Sequence, residues 1–325
     1  MALFRFHIEP VKRSMGHKAT ASAAYMAGER IHDQRTDTVH DHSRRTDVTH
    51  KEIFLPSHLD ASQMEWARDR SRLWNAAEQA EPRSNSRVAR EIQVSLPPEL
   101  EPQRRVVLAR TLARELSDRY GVAIDLAVHD PKPGGDPRNF HAHLLATTRE
   151  VTPEGLGQKT GLDMQAVKRA ALGLPDHSEE YFAVRERWAV LTNQALREAN
   201  LEARVDHRTL AAQGIDRLPT VQVPMEFYRW KGVDSETLAR IREEYRARIA
   251  ARLERANKSE QAKQPEQAKQ PEQAKQPEQQ NFDPRNLQEV RRRAVQSWLA
   301  MRSKGVENTQ PEIGQERSKD RGHER

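Results

Sequence analysis

The segment 122–147 constrains the fold most tightly. Val122, Ile124, Leu126 and Val128 alternate with Ala123, Asp125, Ala127 and His129, the period-two pattern of a half-buried strand. The run 130–139, DPKPGGDPRN, is dense in residues that reverse the backbone. Beyond it, Phe140, Ala142, Leu144 and Ala146 form the apolar face of a second strand, with His141 and His143 on the opposite face. If the strands pair antiparallel with His129 facing His141, all three imidazoles converge, because same-face neighbours on a strand lie about 7 Å apart. A slip of one residue would turn His129 away. Two readings fit this pattern: a polar strand face, and a divalent-metal site. All-nitrogen ligation suits Zn²⁺, Mn²⁺, Ni²⁺ or Cu²⁺ on softness. Three protein ligands also leave positions open for water or a substrate phosphate.

Around the hairpin, strands and helices mix without the βαβ rhythm of a parallel sheet. Phe4, Phe6 and Ile8 alternate as an N-terminal strand, and 88–96 reads as a strand with Ile92, Val94 and Leu96 inward and Glu91, Gln93 and Ser95 on the other side. Helical spacing covers 18–31, 61–79, 102–120 and 181–199. The order predicts an α+β fold in which an antiparallel β-sheet carries flanking helices, followed by a helical or disordered C-terminal tail.

The rest of the chain is of different composition. Glu-Gln-Ala-Lys-Gln-Pro occurs three times in tandem over 260–277, and a proline every six residues prevents one continuous helix. Upstream, 235–257 has the spacing of an exposed charged helix. Downstream, 287–301 has that of a short basic amphipathic helix bearing Arg291, Arg292 and Arg293, and 315–325 is charged and reads as disordered. The expected organisation is a domain over 1–230, a charged helix over 231–258, a linker over 259–281 and a basic tail over 282–325. A mean hydropathy of −0.93 agrees with much of the chain lying outside a packed core.

The absence of cysteine excludes disulfides, thiolate zinc sites and a cysteine nucleophile. A net charge of +6 and a pI of about 9.6 favour a polyanionic partner. No apolar run approaches the length of a membrane span and the first residues lack a signal-peptide apolar region, which predicts a cytoplasmic protein.

Three further groups of residues can carry chemistry. Tyr25 lies in KATASAAYMAGE (18–29), where Lys18, Ser22, Tyr25 and Glu29 would share a helix face among small neighbours. Its phenol suits either an anchor between helix and sheet or a nucleophile assisted by a base or a polarised phosphate. Glu91 suits a base, an auxiliary ligand or a solvated strand carboxylate. DHSRR (41–45) presents Arg44 and Arg45 beside hydroxyl and imidazole donors, a composition suited to phosphate contacts and also to an ordinary charged loop.

Several segments occur together in one order: Ala-Ala-Tyr25, DHSRRTDVTHKEIFLP (41–56), REIQVSLPPEL (90–100), His129 followed by NFHAH (139–143), and ARVDHRTLAAQGIDRLP (203–219). The chain thereby resembles the MobA/MobL family of plasmid mobilisation relaxases, the MobQ type of HUH endonucleases. Two features depart from the family pattern. Phe140 stands where proline is frequent, and Thr-Val-Gln-Val-Pro follows Leu218-Pro219 where histidine and glycine are common.

The resemblance implies His129, His141 and His143 as ligands of a divalent cation, with Mg²⁺ or Mn²⁺ the expected physiological ions and other divalent ions possible. It implies Tyr25 as the nucleophile that forms a 5′-phosphotyrosine at a nicked origin of transfer, with rejoining after transfer. Glu91 takes an acid/base or supporting role, and Lys18, Arg44 and Arg45 bind DNA. The implied partners are single-stranded or hairpin origin DNA, relaxosome accessory proteins, a type IV secretion coupling protein and a separate helicase, with export to the recipient cell on the bound strand. Two alternatives remain at this point: a non-catalytic DNA-binding mobilisation accessory protein, and a metal-dependent nuclease that uses water.

Overall fold

The chain divides into two units, Met1–Gln222 and Val223–Arg325. The computed structural model describes residues 3–210 and 212–215, together with nine residues between 236 and 251, which are helical. The tandem repeat, the basic segment 287–301, the charged end 315–325 and the segment after Leu218 all lie outside the described residues.

In chain order the first unit runs through β1 (Phe6–Lys12), α1 (Ala19–Ala27), β2 (Arg30–Asp33), β3 (Thr38–Asp41), β4 (Val48–Phe54), α2 (Glu65–Arg68), α3 (Arg70–Gln79) and β5 (Arg87–Ser95). It continues with α4 (Pro102–Tyr120), β6 (Ile124–His129), β7 (His141–Thr147), β8 (Arg149–Thr152), β9 (Gly155–Lys159), α5 (Ala166–Ala171) and α6 (His177–Glu198). Strands in the order β1-β5-β7-β6-β4 form one antiparallel sheet, while β2–β3 and β8–β9 are separate hairpins. This is the expected α+β class.

The β6–β7 hairpin takes the register in which His129 pairs with His141 and Leu126 with Leu144. β7 sits at the sheet centre, hydrogen-bonded to β5 on one edge and β6 on the other, so both neighbours fix its register.

Both sheet faces are covered. Ile92, Val94, Ile124, Leu126, Ala142 and Leu144 pack with α4 and α6 around Leu112 and Trp188. On the other face Ala89, Ala123, Ala127 and Leu145 pack with α1 and α3 around Trp74. The half-buried reading of β6 therefore fails, and all six of its residues are buried. Asp125 is compatible with burial because Arg70 donates to it from Nε and Nη2 at 2.8 and 2.9 Å and Trp74 Nε1 at 2.9 Å.

Local signals set the helix ends. α4 begins at Pro102, where a missing N–H costs nothing, and ends at Gly121 with φ 66°. α6 carries a capping box between Asp176 and Glu179. α1 is shorter than the predicted 18–31: it stops at Gly28, φ 61°, where a Cβ would meet Val48 Cγ2 at 3.2 Å, and 30–33 turns into β2. The single helix predicted over 61–79 is broken, because Asp69 is extended and caps α3 by accepting from Arg72 N.

Candidate active site

Three imidazoles gather at the end of the β6–β7 hairpin. Ring centroids lie 5.2 Å apart for His129 and His141, 4.7 Å for His129 and His143, and 5.1 Å for His141 and His143. One ring nitrogen from each falls within 4.8 Å of the others. His129 is fully buried and His143 nearly so.

Each ring uses its other nitrogen to bond an oxygen outside the triad. His129 Nε2 lies 2.7 Å from Met26 O, His141 Nδ1 2.8 Å from Asn139 O, and His143 Nδ1 2.7 Å from Glu91 Oε1. Carbonyl and carboxylate oxygens only accept, so those nitrogens carry the protons. A lone pair is left on His129 Nδ1, His141 Nε2 and His143 Nε2. Burial, reinforced by His143 and Arg45, pushes His129 down to about 3, and burial also lowers His141. Three imidazoles that each turn one ring nitrogen inward and hold an oxygen with the other are the donor set that a divalent metal requires, so the residues fit such an ion.

Tyr25 projects from α1 into the same region. Its side chain, His141 and His143 line one cavity of about 330 Å³ together with Arg45 and Lys132. Met26, the next residue, supplies the carbonyl that holds His129, so a single hydrogen bond ties the helix bearing the phenol to the imidazole hairpin. The small residues Ala19, Ala23 and Ala24 are buried and let α1 lie close to the sheet.

Arg45 joins these parts. Its guanidinium donates to Asp47 from Nε at 2.8 Å and Nη2 at 2.5 Å, to the Tyr25 carbonyl from Nη1 at 2.8 Å, and to His129 Nδ1 from Nη2 at 3.3 Å. Its Cζ also stands 4.1 Å from the Tyr25 ring centroid. The Arg45 hydrogen bonds hold Asp47 well below the usual carboxylate range, at about 2.

The structure thus brings together Tyr25, Glu91, Arg45 and the three histidines. Lys18 is not part of the cavity wall: its ammonium donates to Thr36 Oγ1 at 2.8 Å and lies 3.8 Å from the buried Asp33 carboxylate. Arg44 is exposed on the segment before β4. Glu29 lies beyond the end of α1 and pairs with Lys51 and Arg70, at 2.8 and 2.5 Å. Sequence reasoning missed Lys132 and Asp47. Lys132 lay in a segment read only as a turn, although its Nζ donates to Tyr25 Oη at 3.1 Å.

The MobA/MobL family profile matches residues 17–231, a span that contains all of these side chains. The chain belongs to the MobA/MobL family. Among MobA/MobL relatives, mobilization protein MobL of Acidithiobacillus ferridurans is 38% identical over 244 residues, covering 68% of this chain and 61% of that protein. The probable mobilization protein MobA of Bifidobacterium longum is 32% identical over 252 residues, covering 68% of this chain and 43% of that one. This MobA/MobL chain therefore spans less than two thirds of the length of these relatives. A solved structure from work on the molecular basis of vancomycin resistance transfer in Staphylococcus aureus matches with a TM-score of 0.52 and 29% identity, over 64% of this chain and all of that one.

Proposed function

We propose that this chain is a mobilisation relaxase that nicks and rejoins one strand of origin-of-transfer DNA through Tyr25. The observation that carries this reading is the shared cavity: an exposed phenol lines it with His141 and His143, and the inward ring nitrogens of all three histidines converge while their outward nitrogens bond oxygens. Membership in a family whose relatives are named mobilization proteins supports it.

His129, His141 and His143 would hold a divalent cation, Mg²⁺ or Mn²⁺ in the cell, which when bound supplies Lewis-acid polarisation of the scissile phosphate. The Tyr25 oxygen attacks phosphorus and the strand is left with a free 3′-hydroxyl and a 5′-phosphotyrosine. The phosphotyrosine conserves the diester energy, so a 3′-hydroxyl can reverse the step without ATP. Glu91 acts through His143, fixing its tautomer and orientation. Arg45 sets the ring of Tyr25 and the position of His129. Exposed Arg44 contributes to phosphate binding.

In this reading residues 1–230 carry the chemistry. Its partners are single-stranded or hairpin origin DNA, relaxosome accessory proteins, a secretion coupling protein and a separate helicase. Among the described residues no helix is long and apolar enough to cross a membrane, in keeping with action in the cytoplasm before export with the strand.

Covalent trapping tests the proposal. With a divalent metal, wild type should form an SDS-resistant adduct with single-stranded origin DNA and Tyr25→Phe should not. Metal-dependent cleavage that persists in Tyr25→Phe would assign the role of nucleophile to water, and tight binding without cleavage by wild type would make the protein an accessory factor.

A further inference from the structure

Cations approach Tyr25 from two separate elements. Arg45 lies over the ring face and is neutralised by Asp47. Lys132, from the loop between β6 and β7, donates from Nζ to the phenol oxygen at 3.1 Å, with the ammonium 5.7 Å from the ring centroid. Among the described residues Lys132 has no carboxylate partner. The other groups near the phenol are the edge-on ring of His42, with centroids 5.3 Å apart, and the cavity residues His141, His143 and Asp136. Arg138 neutralises Asp136 at 2.8 Å. The Lys132 charge is thus uncompensated and aimed at the atom that would react.

The loop restrains Lys132 at this place. Pro131 and Pro133 flank it, fixing φ on both sides, and the ring of Pro133 disfavours helical backbone at Lys132 itself. Gly135 N donates to Lys132 O at 3.0 Å around Pro133-Gly134, with Gly134 at φ 78°, the signature of a type II turn. A lysine stem has many rotamers to lose on ordering, and a stiff base reduces the backbone part of that cost.

We propose that Lys132 is a catalytic residue of the tyrosine transesterification, its ammonium pairing with the Tyr25 oxygen as that oxygen becomes a phenolate. The inference rests on the nicking reading given above. In the forward direction the phenol proton passes to solvent. The phenolate oxygen then bonds to phosphorus as the bond from phosphorus to the 3′-oxygen breaks, and that oxygen takes a proton from water. In the reverse direction a 3′-hydroxyl gives its proton to water, its oxygen bonds to phosphorus as the bond from phosphorus to the tyrosine oxygen breaks, and the phenolate is released to the same ammonium. A cation one hydrogen bond away favours the anionic form of an acid. Lys132 does this without transferring its own proton.

Nicking by wild type, Lys132→Gln and Lys132→Arg is compared from pH 7 to 10, with the position exposed and its loss harmless to the core. Lys132→Gln should nick about tenfold more slowly at neutral pH, with the deficit shrinking as pH rises, and Lys132→Arg should keep the wild-type profile. A deficit equal at every pH, or none, overturns the proposal. A second measurement needs neither DNA nor metal. Tetranitromethane nitrates phenolates, and peptide mapping should show Tyr25 modified about tenfold more slowly in Lys132→Gln at neutral pH. Unchanged nitration overturns the pairing even where nicking is slowed. Cleavage that persists in Tyr25→Phe overturns the nicking reading itself, and with it the catalytic role of Lys132, whatever the nitration rates.

Discussion

Glu91 Oε1 lies 2.7 Å from Nδ1 of His143, reached diagonally across a ladder in which Gln93, not Glu91, is the backbone partner of His143. The carboxylate fixes the imidazole tautomer and leaves Nε2 as the free donor. Removing such an outer partner weakens metal binding by about 10–100-fold in known sites. Glu91→Ala should show a loss of that size when Mn²⁺ binding is measured by calorimetry. Glu91→Gln, which keeps an oxygen acceptor, should lose less. Equal affinity in all three proteins would remove Glu91 from the site.

Burial of neutral His129 links stability to pH. Folded His129 resists protonation down to about 3, against 6.5 ordinarily, so below 6.5 the unfolded chain takes up the proton first. The contribution of His129 is therefore complete above pH 6.5, falls as pH drops below it and goes on falling toward 3. At pH 5 the loss is on the order of 2 kcal/mol. Urea unfolding of metal-free protein at pH 7.5, 6 and 5 should show this slope, and His129→Gln should flatten it. A slope unchanged by that substitution would refute the assignment to His129.

The hairpin was legible because period-two alternation flanks a turn rich in proline and glycine, and the converging register followed once His129 was set against His141. What the alternation could not show was the second covered face. Asp125 on β6 looks solvated in sequence, yet Arg70 and Trp74, more than fifty positions away, satisfy it in the interior. The same holds for Glu78 in the segment 61–79, a fully buried carboxylate held by Arg13 at 2.7 Å and by the Ala19 N–H at 2.6 Å. β2, β3, β8 and β9 have four or five residues each and mostly polar faces, too little period for a pattern to register. Tyr25 was recognisable from the resemblance. Its hydrogen bond from Lys132, across 107 positions, has no local signature.

The close approach of α1 to the sheet yields a prediction about packing. Ala24 is fully buried immediately before Tyr25. Ala24→Leu inserts three carbon atoms where the helix faces close-packed neighbours, which costs about 1–3 kcal/mol. Urea denaturation should show that loss. Nicking under conditions where the variant remains folded should fall further, because the strain is relieved by moving the helix that carries the phenol. Unimpaired nicking in a destabilised variant would mean that α1 yields without displacing Tyr25.

Arg45→Lys separates geometry from charge. A lysine keeps the positive charge but has no planar fork, so it cannot simultaneously bond both oxygens of Asp47 and the Tyr25 carbonyl while lying flat on the phenol ring. If Arg45 acted by charge alone, the substitution would be silent. Because its contacts fix both Tyr25 and His129, the expected result is a loss of up to about 100-fold in nicking, the scale on which small misplacements of reacting groups act. Metal affinity should not fall, since none of the three outward hydrogen bonds of the imidazoles involves Arg45 and the one contact it makes with them, Nη2 to His129 Nδ1, occupies a lone pair that a metal would take. Single-turnover nicking with saturating origin oligonucleotide, paired with Mn²⁺ titration of the same preparations, distinguishes the two cases. Full activity in Arg45→Lys would reduce Arg45 to a source of charge.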